Sequence, residues 1–154
     1  CLMGGLPEFG PLNAIGDRIS FRRIVQTPGG VTMFYDVGQG QGWQRNIVMD
    51  GSPHLPAGIR QWYGDSRGHW EGDTLVVDTT NFRTDATYRN TVPETLHMTE
   101  RLKRVNADTI LYEFTVDDPL TWVRPWTAQF PMARTSEPVF EYACHEGNYA
   151  MRNI

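Results

Sequence analysis

Apolar and polar residues alternate with a period of two along most of the chain from residue 18 to residue 144, which predicts strands rather than helices. Residues 18–26 and 31–37 make a first hairpin around Thr27-Pro28-Gly29-Gly30, with Val31, Met33, Tyr35 and Val37 alternating against Thr32, Phe34 and Asp36. Gly38, Gly40 and Gly42 then break the chain before a third strand over 44–49, closed by Asp50-Gly51. A second hairpin pairs 69–71 with 74–80 across Gly72-Asp73, a glycine-first turn of the II′ type. A third pairs 96–105 with 109–116 around Asn106-Ala107-Asp108, and further strands follow over 122–130 and 138–144.

The remaining stretches are irregular. Residues 1–17 form an extended entry segment, 52–67 a long loop with Pro53, Pro56, Gly58 and Gly64 and at most one helical turn, and 81–95 a second, polar loop. No helical period is sustained beyond about three turns, so helix is expected in under about 20% of residues. About eight or nine short strands separated by turns indicate an all-β fold, a barrel or a sandwich. The succession of hairpins favours an antiparallel, up-and-down, lipocalin-like barrel. The 154 residues suit a single domain, 1–154.

Composition narrows the class. Hydrophobic residues make up 40% and charged residues 21%, a globular rather than disordered balance. Lys+Arg 14 against Asp+Glu 18 leaves a net charge of −4, which argues against a nucleic-acid backbone or an anionic membrane as the main partner. No apolar run approaches the roughly 20 residues of a membrane helix, so no transmembrane segment is expected. The expected partner is a small molecule, with assembly into a homo-oligomer left open. The two cysteines are Cys1 and Cys144. They form one long-range bridge in an oxidising compartment or stay separate thiols in a reducing one, and lipid modification of Cys1 is a third reading. Opening on Cys1 without an initiator Met suits a mature or trimmed chain.

Candidate chemistry sits on a few segments. The four histidines, His54, His69, His97 and His145, include no pair at metal-ligand spacing, so the metal signal is weak and His54 is taken for a surface or hydrogen-bonded residue. G-x-S-x-G, Walker and G-x-G-x-x-G patterns are absent, and no cofactor is expected. Strand parity puts His97, Thr99 and Arg101 on one face and Met98, Glu100 and Leu102 on the other. The polar face either meets solvent or lines a lumen where a histidine and an arginine bind or protonate an anionic or carbonyl-bearing ligand. Glu113 interrupts an apolar strand, with Arg101 as its nearest cation by chain geometry; it is a structural pair, a catalytic carboxylate or an exposed residue. Trp122 and Trp126 fall on one side of a predicted strand, as core or as an aromatic platform for a sugar or polycyclic ligand. Tyr142, His145 and Glu146 bring a phenol, an imidazole and a carboxylate together near the C-terminal end.

Four segments carry a family resemblance: residues 64–77 (GDSRGHWEGDTLVV), 96–101 (LHMTER), Trp122 through Trp126, and 141–149 (EYACHEGNY). Together they resemble a family of uncharacterised secreted bacterial proteins, over nearly all of 50–154 and more loosely over 1–49. The resemblance implies export to the periplasm or the extracellular space and one shared fold, and it implies no reaction or cofactor. With export, a Cys1–Cys144 disulfide becomes the expectation.

The expected function is a small-molecule-binding β-barrel with acid–base catalysis by His97, Glu113, His145 and Glu146. The reaction would be that of a lyase, isomerase or hydrolase on an oxygenated small molecule or carbohydrate. Asp65, His69, Arg101, Trp122, Trp126 and Tyr142 would bind substrate. The polar groups are expected to converge on one concave surface, with Trp122 or Trp126 as its wall. Against this stand a non-catalytic, lipocalin-like binding module and an accessory domain of a larger envelope protein.

Overall fold

The computed structural model describes residues 21–36, 43–85 and 91–136. They form eight strands: β1 (Phe21–Thr27), β2 (Gly30–Asp36), β3 (Trp43–Val48), β4 (Asp65–Glu71), β5 (Thr74–Thr80), β6 (His97–Asn106), β7 (Thr109–Asp117) and β8 (Trp126–Ala133). All lie in one sheet in chain order. Neighbours are antiparallel except β3 and β4, which run parallel through Ile47 opposite Ser66 and Val48 opposite Arg67. No helix long and apolar enough to cross a membrane occurs among the described residues.

The fold is all-β and mostly antiparallel, as the alternation predicts, but the expected closed up-and-down barrel is replaced by a half-barrel. Among the described residues β1 and β8 are the two edges of the curled sheet. The up-and-down order fails at the 49–64 connection, which returns the chain into β4 in the direction it left β3. A parallel pair needs such a crossover where an antiparallel pair needs only a turn.

Parity divides the sheet into two faces. The inner face carries the core: Met33, Ile47, Val77, Met98, Leu102 and Phe114, with Phe82 and Leu96 from the connections. Tyr112 meets Phe130 edge-on at 5.2 Å between centroids, and Phe114 meets Trp126 likewise at 5.6 Å. Such tilted aromatic contacts match positive ring edges to negative faces. The outer face carries Asp65, Arg67, His69 and Glu71 of β4, Asp78 of β5, His97, Thr99 and Arg101 of β6, and Glu113 of β7.

Two element boundaries differ from expectation for physical reasons. β4 begins at Asp65 rather than residue 69. Asp65-Ser66-Arg67-Gly68 has loop-like composition, yet Ser66 turns inward to share a hydrogen bond with Thr79 (Oγ to Oγ1, 3.0 Å). A side chain at Gly68 would collide with Met49 Sδ and Ile47 Cγ2, so the close approach of β3 to β4 depends on glycine there. β8 begins at Trp126 rather than residue 122. The chain before it folds around buried Asp118, whose carboxylate accepts from Val92 N (2.7 Å), Thr95 Oγ1 (2.6 Å), Leu120 N (3.3 Å) and Thr121 Oγ1. Pro131 lies inside β8, which is an edge among the described strands, where a missing N–H donor is tolerated. The Gly72-Asp73 turn has a positive φ at Gly72 (60°) alone, as its glycine-first type requires. The expected strand over 138–144, Tyr142, His145, Glu146 and the Cys1–Cys144 disulfide lie outside the described residues.

Candidate functional site

β4 begins, β5 ends, β6 begins and β7 ends at the same end of the sheet, since Asp65 pairs with Thr80, Thr79 with Met98 and His97 with Asp117. The tight hairpin turns lie at the opposite end. The longer connections therefore gather around Asp65, Asp78 and His97, and loops held by a rigid scaffold are where binding and catalytic groups concentrate.

The 49–64 connection lays His54 across the outer face of β4 and β5. His54 Nδ1 lies 2.8 Å from Asp65 Oδ2, and Nε2 lies 2.7 Å from Asp78 Oδ1. The other oxygen of Asp78, Oδ2, is 2.5 Å from Nε2 of His97. Asp65 is gripped from its far side by Arg67, Nε to Oδ2 at 3.1 Å and Nη2 to Oδ1 at 3.0 Å, and it also accepts from Leu55 N at 3.0 Å. Arg67 Nη1 donates onward to Ser52 Oγ at 2.6 Å, and Ser52 N donates to Asp50 Oδ1 at 2.9 Å. The result is an alternating row of cations, or potential cations, and carboxylates: Arg67, Asp65, His54, Asp78, His97.

The environment tunes this row. Burial raises the Asp65 carboxyl, but the Arg67, Leu55 and His54 hydrogen bonds outweigh it and hold the group below its ordinary range. Asp78 is likewise pushed up by burial and pulled down further by His97 and His54. The hydrogen bond to Asp78 raises His97 above the usual histidine value; burial opposes it, and the charges of Asp78 and Asp117 reinforce it. His97 is half-exposed at the open end of the row, and its Nδ1 makes no hydrogen bond to a described residue. A carboxylate that fixes one nitrogen of a half-exposed imidazole is the geometry of an oriented acid–base histidine. Among the described residues no three His, Cys, Asp or Glu side chains form a group arranged to hold a metal ion.

Of the residues singled out from the sequence, Asp65 and His97 belong to the row. His69, Arg101 and Glu113 share its face but lie along a separate, exposed ladder. Arg101 Nη2 donates to Glu71 at 2.6 Å, His69 approaches the same carboxylate at 3.3 Å, and Gln129 donates to Glu113 at 2.9 Å. Arg101 and Glu113 are cross-strand neighbours, yet the expected buried pair between them is not formed, because the guanidinium turns to Glu71 instead. The buried carboxylate is instead Glu100, the residue before Arg101. Glu100 faces inward, paired with Arg45 of β3 and accepting from Tyr112 Oη at 2.7 Å. Trp126 also faces inward, and Trp122, in the connection rather than in a strand, packs edge-on against it at 5.9 Å. Trp126 cannot wall the His97 site, since it lies on the opposite face of the sheet. The expected single concave surface uniting His97, Arg101 and Glu113 with a tryptophan is therefore not what these strands build.

Sequence reasoning missed His54, Arg67 and Asp78. For Asp78 a signal existed, since a carboxylate inside Thr74-Leu75-Val76-Val77-Asp78 breaks an apolar strand just as Glu113 does. For His54 none existed, because its place depends on the path of a long connection. No protein-family model, no curated protein and no solved structure matches this chain.

Proposed function

We propose that the chain is an exported acid–base enzyme domain in which His97 transfers a proton to or from a small oxygenated molecule. The reaction is of the cofactor-independent lyase, isomerase or hydrolase kind. The observation that carries this reading is the Asp78–His97 dyad: a half-exposed imidazole held by a carboxylate at 2.5 Å through one nitrogen, at the end of the sheet where long connections meet. Asp78 orients the ring and favours its protonated form, so His97 acts first as acid and, once discharged, as base. Resemblance to secreted bacterial proteins supports a periplasmic or extracellular location.

The test uses the chromogenic ester p-nitrophenyl acetate as a probe of an activated imidazole. Esterolysis should follow the deprotonation of His97. His97→Gln should lower it more than about tenfold, with Tm within about 3 °C of the parent. His69→Gln should leave it unchanged. Equal rates in the parent and His97→Gln would overturn the reading.

A second reading is a non-catalytic ligand-binding module of the lipocalin-like kind. It draws on Leu120, Trp122 and Val123, which stand exposed on the connection fastened by Asp118. Exposed apolar groups on a fixed loop suit an apolar ligand. This reading predicts ligand binding indifferent to His97→Gln and abolished by Trp122→Ala.

A further inference from the structure

We infer that His54 controls the basicity of His97 through the carboxylate they share, which makes the 49–64 connection a regulator of the site it lies against. The inference rests on the proposed function only in taking His97 as the working group.

Asp78 offers one oxygen to each imidazole, Oδ1 to His54 at 2.7 Å and Oδ2 to His97 at 2.5 Å. The second nitrogen of His54 is committed to Asp65 at 2.8 Å. His54 is thus committed to both carboxylates while it is seated, and it occupies one of the two oxygens of Asp78.

Seated His54 draws on the same Asp78 carboxylate, so it restrains the rise that Asp78 imposes on His97. Unseating it hands the whole of Asp78 to His97 and makes that ring more basic. The groups that face the two rings are Asp65 and Arg67 of β4, Asp78 of β5 and Asp117 of β7. Arg67 is engaged by Asp65 and Ser52, and Asp117 favours protonated His97 whether or not His54 is seated. His54 alone of these groups both touches Asp78 and belongs to the connection. The connection is itself fastened at the site, by Leu55 N on Asp65 and by Asn81 Nδ2 on Leu55 O at 2.8 Å. Anything that displaces this segment, a bound substrate included, changes the proton affinity of His97. His54 is thus a positioning residue.

The experiment is a pH titration of the imidazole nitrogens by long-range 1H–15N NMR on the full chain. In His54→Gln the His97 midpoint should lie about one pH unit above that of the parent, the size of one hydrogen bond's hold on a shared carboxylate. Asp65→Asn, which leaves the His54 ring in place but removes its second carboxylate, should move His97 in the same direction by less. His69→Gln should leave it fixed. The midpoint of the p-nitrophenyl acetate pH profile should rise with the NMR midpoint. An unmoved or lowered His97 midpoint in both His54→Gln and Asp65→Asn would overturn the inference. The titration does not depend on turnover. A raised midpoint with undiminished esterolysis in His97→Gln would leave the coupling standing and remove the proposed catalytic role instead.

Discussion

The two faces of the sheet hold the same chemistry under opposite conditions. On the inner face Glu100 is fully buried between Arg45 and Tyr112. On the outer face Asp78 is partly exposed between His54 and His97. The inner carboxylate is matched to a cation that keeps its proton at every physiological pH. The outer one is matched to imidazoles, which exchange protons near neutrality. Burial and partner together turn the first into a brace and the second into a proton-handling site. The brace also spans distance. Arg45 is on β3 and Glu100 on β6, with β4 and β5 between them in the sheet, so the pair meets only because the sheet is curled.

The sharpest way to break this comparison is to remove one half of the brace. Glu100→Gln removes the buried anion paired with Arg45 and should cost about 3–5 kcal/mol, a Tm drop on the order of 10 °C. Arg45→Met combined with Glu100→Leu should cost less than either single change, because no charge is left buried. A double mutant worse than both singles, read by thermal denaturation, would show that the pair is more than a matched burial.

Asp78→Asn comes next. It takes the charged acceptor from both imidazoles but leaves them access to water, so the loss should be about 1–2 kcal/mol in chemical denaturation. It should also return His97 toward an ordinary histidine titration.

The pH dependence of stability follows from the same groups. His97 has a raised folded-state value, so its contribution is complete below about pH 6.5 and fades as pH climbs through that raised value. Asp65 and Asp78 have lowered values, so theirs is present above about pH 3.9 and is lost as pH falls through them. Tm against pH should therefore be highest between these limits, and Asp78→Asn should flatten the alkaline side. An unchanged alkaline slope in that variant would remove Asp78 as the source.

The smallest effects belong to the exposed ladder. Arg101→Ala and Glu113→Gln should each shift Tm by under about 3 °C, since their partners stay solvated when left alone. A large drop from either would mean that the outer face is not the solvent-facing one.

Much of this was legible along the chain, and what was legible was local. A period of two specifies strands and parity, so the grouping of His97 with Thr99 and Arg101, against Met98 with Glu100 and Leu102, needed only the order of residues. The glycine-first turn at Gly72-Asp73 likewise carries its own backbone requirement. Parity does not say which face turns inward, and Glu113 looked like the buried carboxylate because its strand is the more apolar one. The tertiary structure decided that question, since the face opposite Arg45, Ile47 and Phe114 is Glu100's. It also decided the site. Asp65, Asp78 and His54 meet because a parallel β3–β4 pair requires a long connection, and that connection crosses the outer face at β4 and β5. Alternation is a property of neighbours in the chain, whereas the landing point of a long connection is set by everything it packs against.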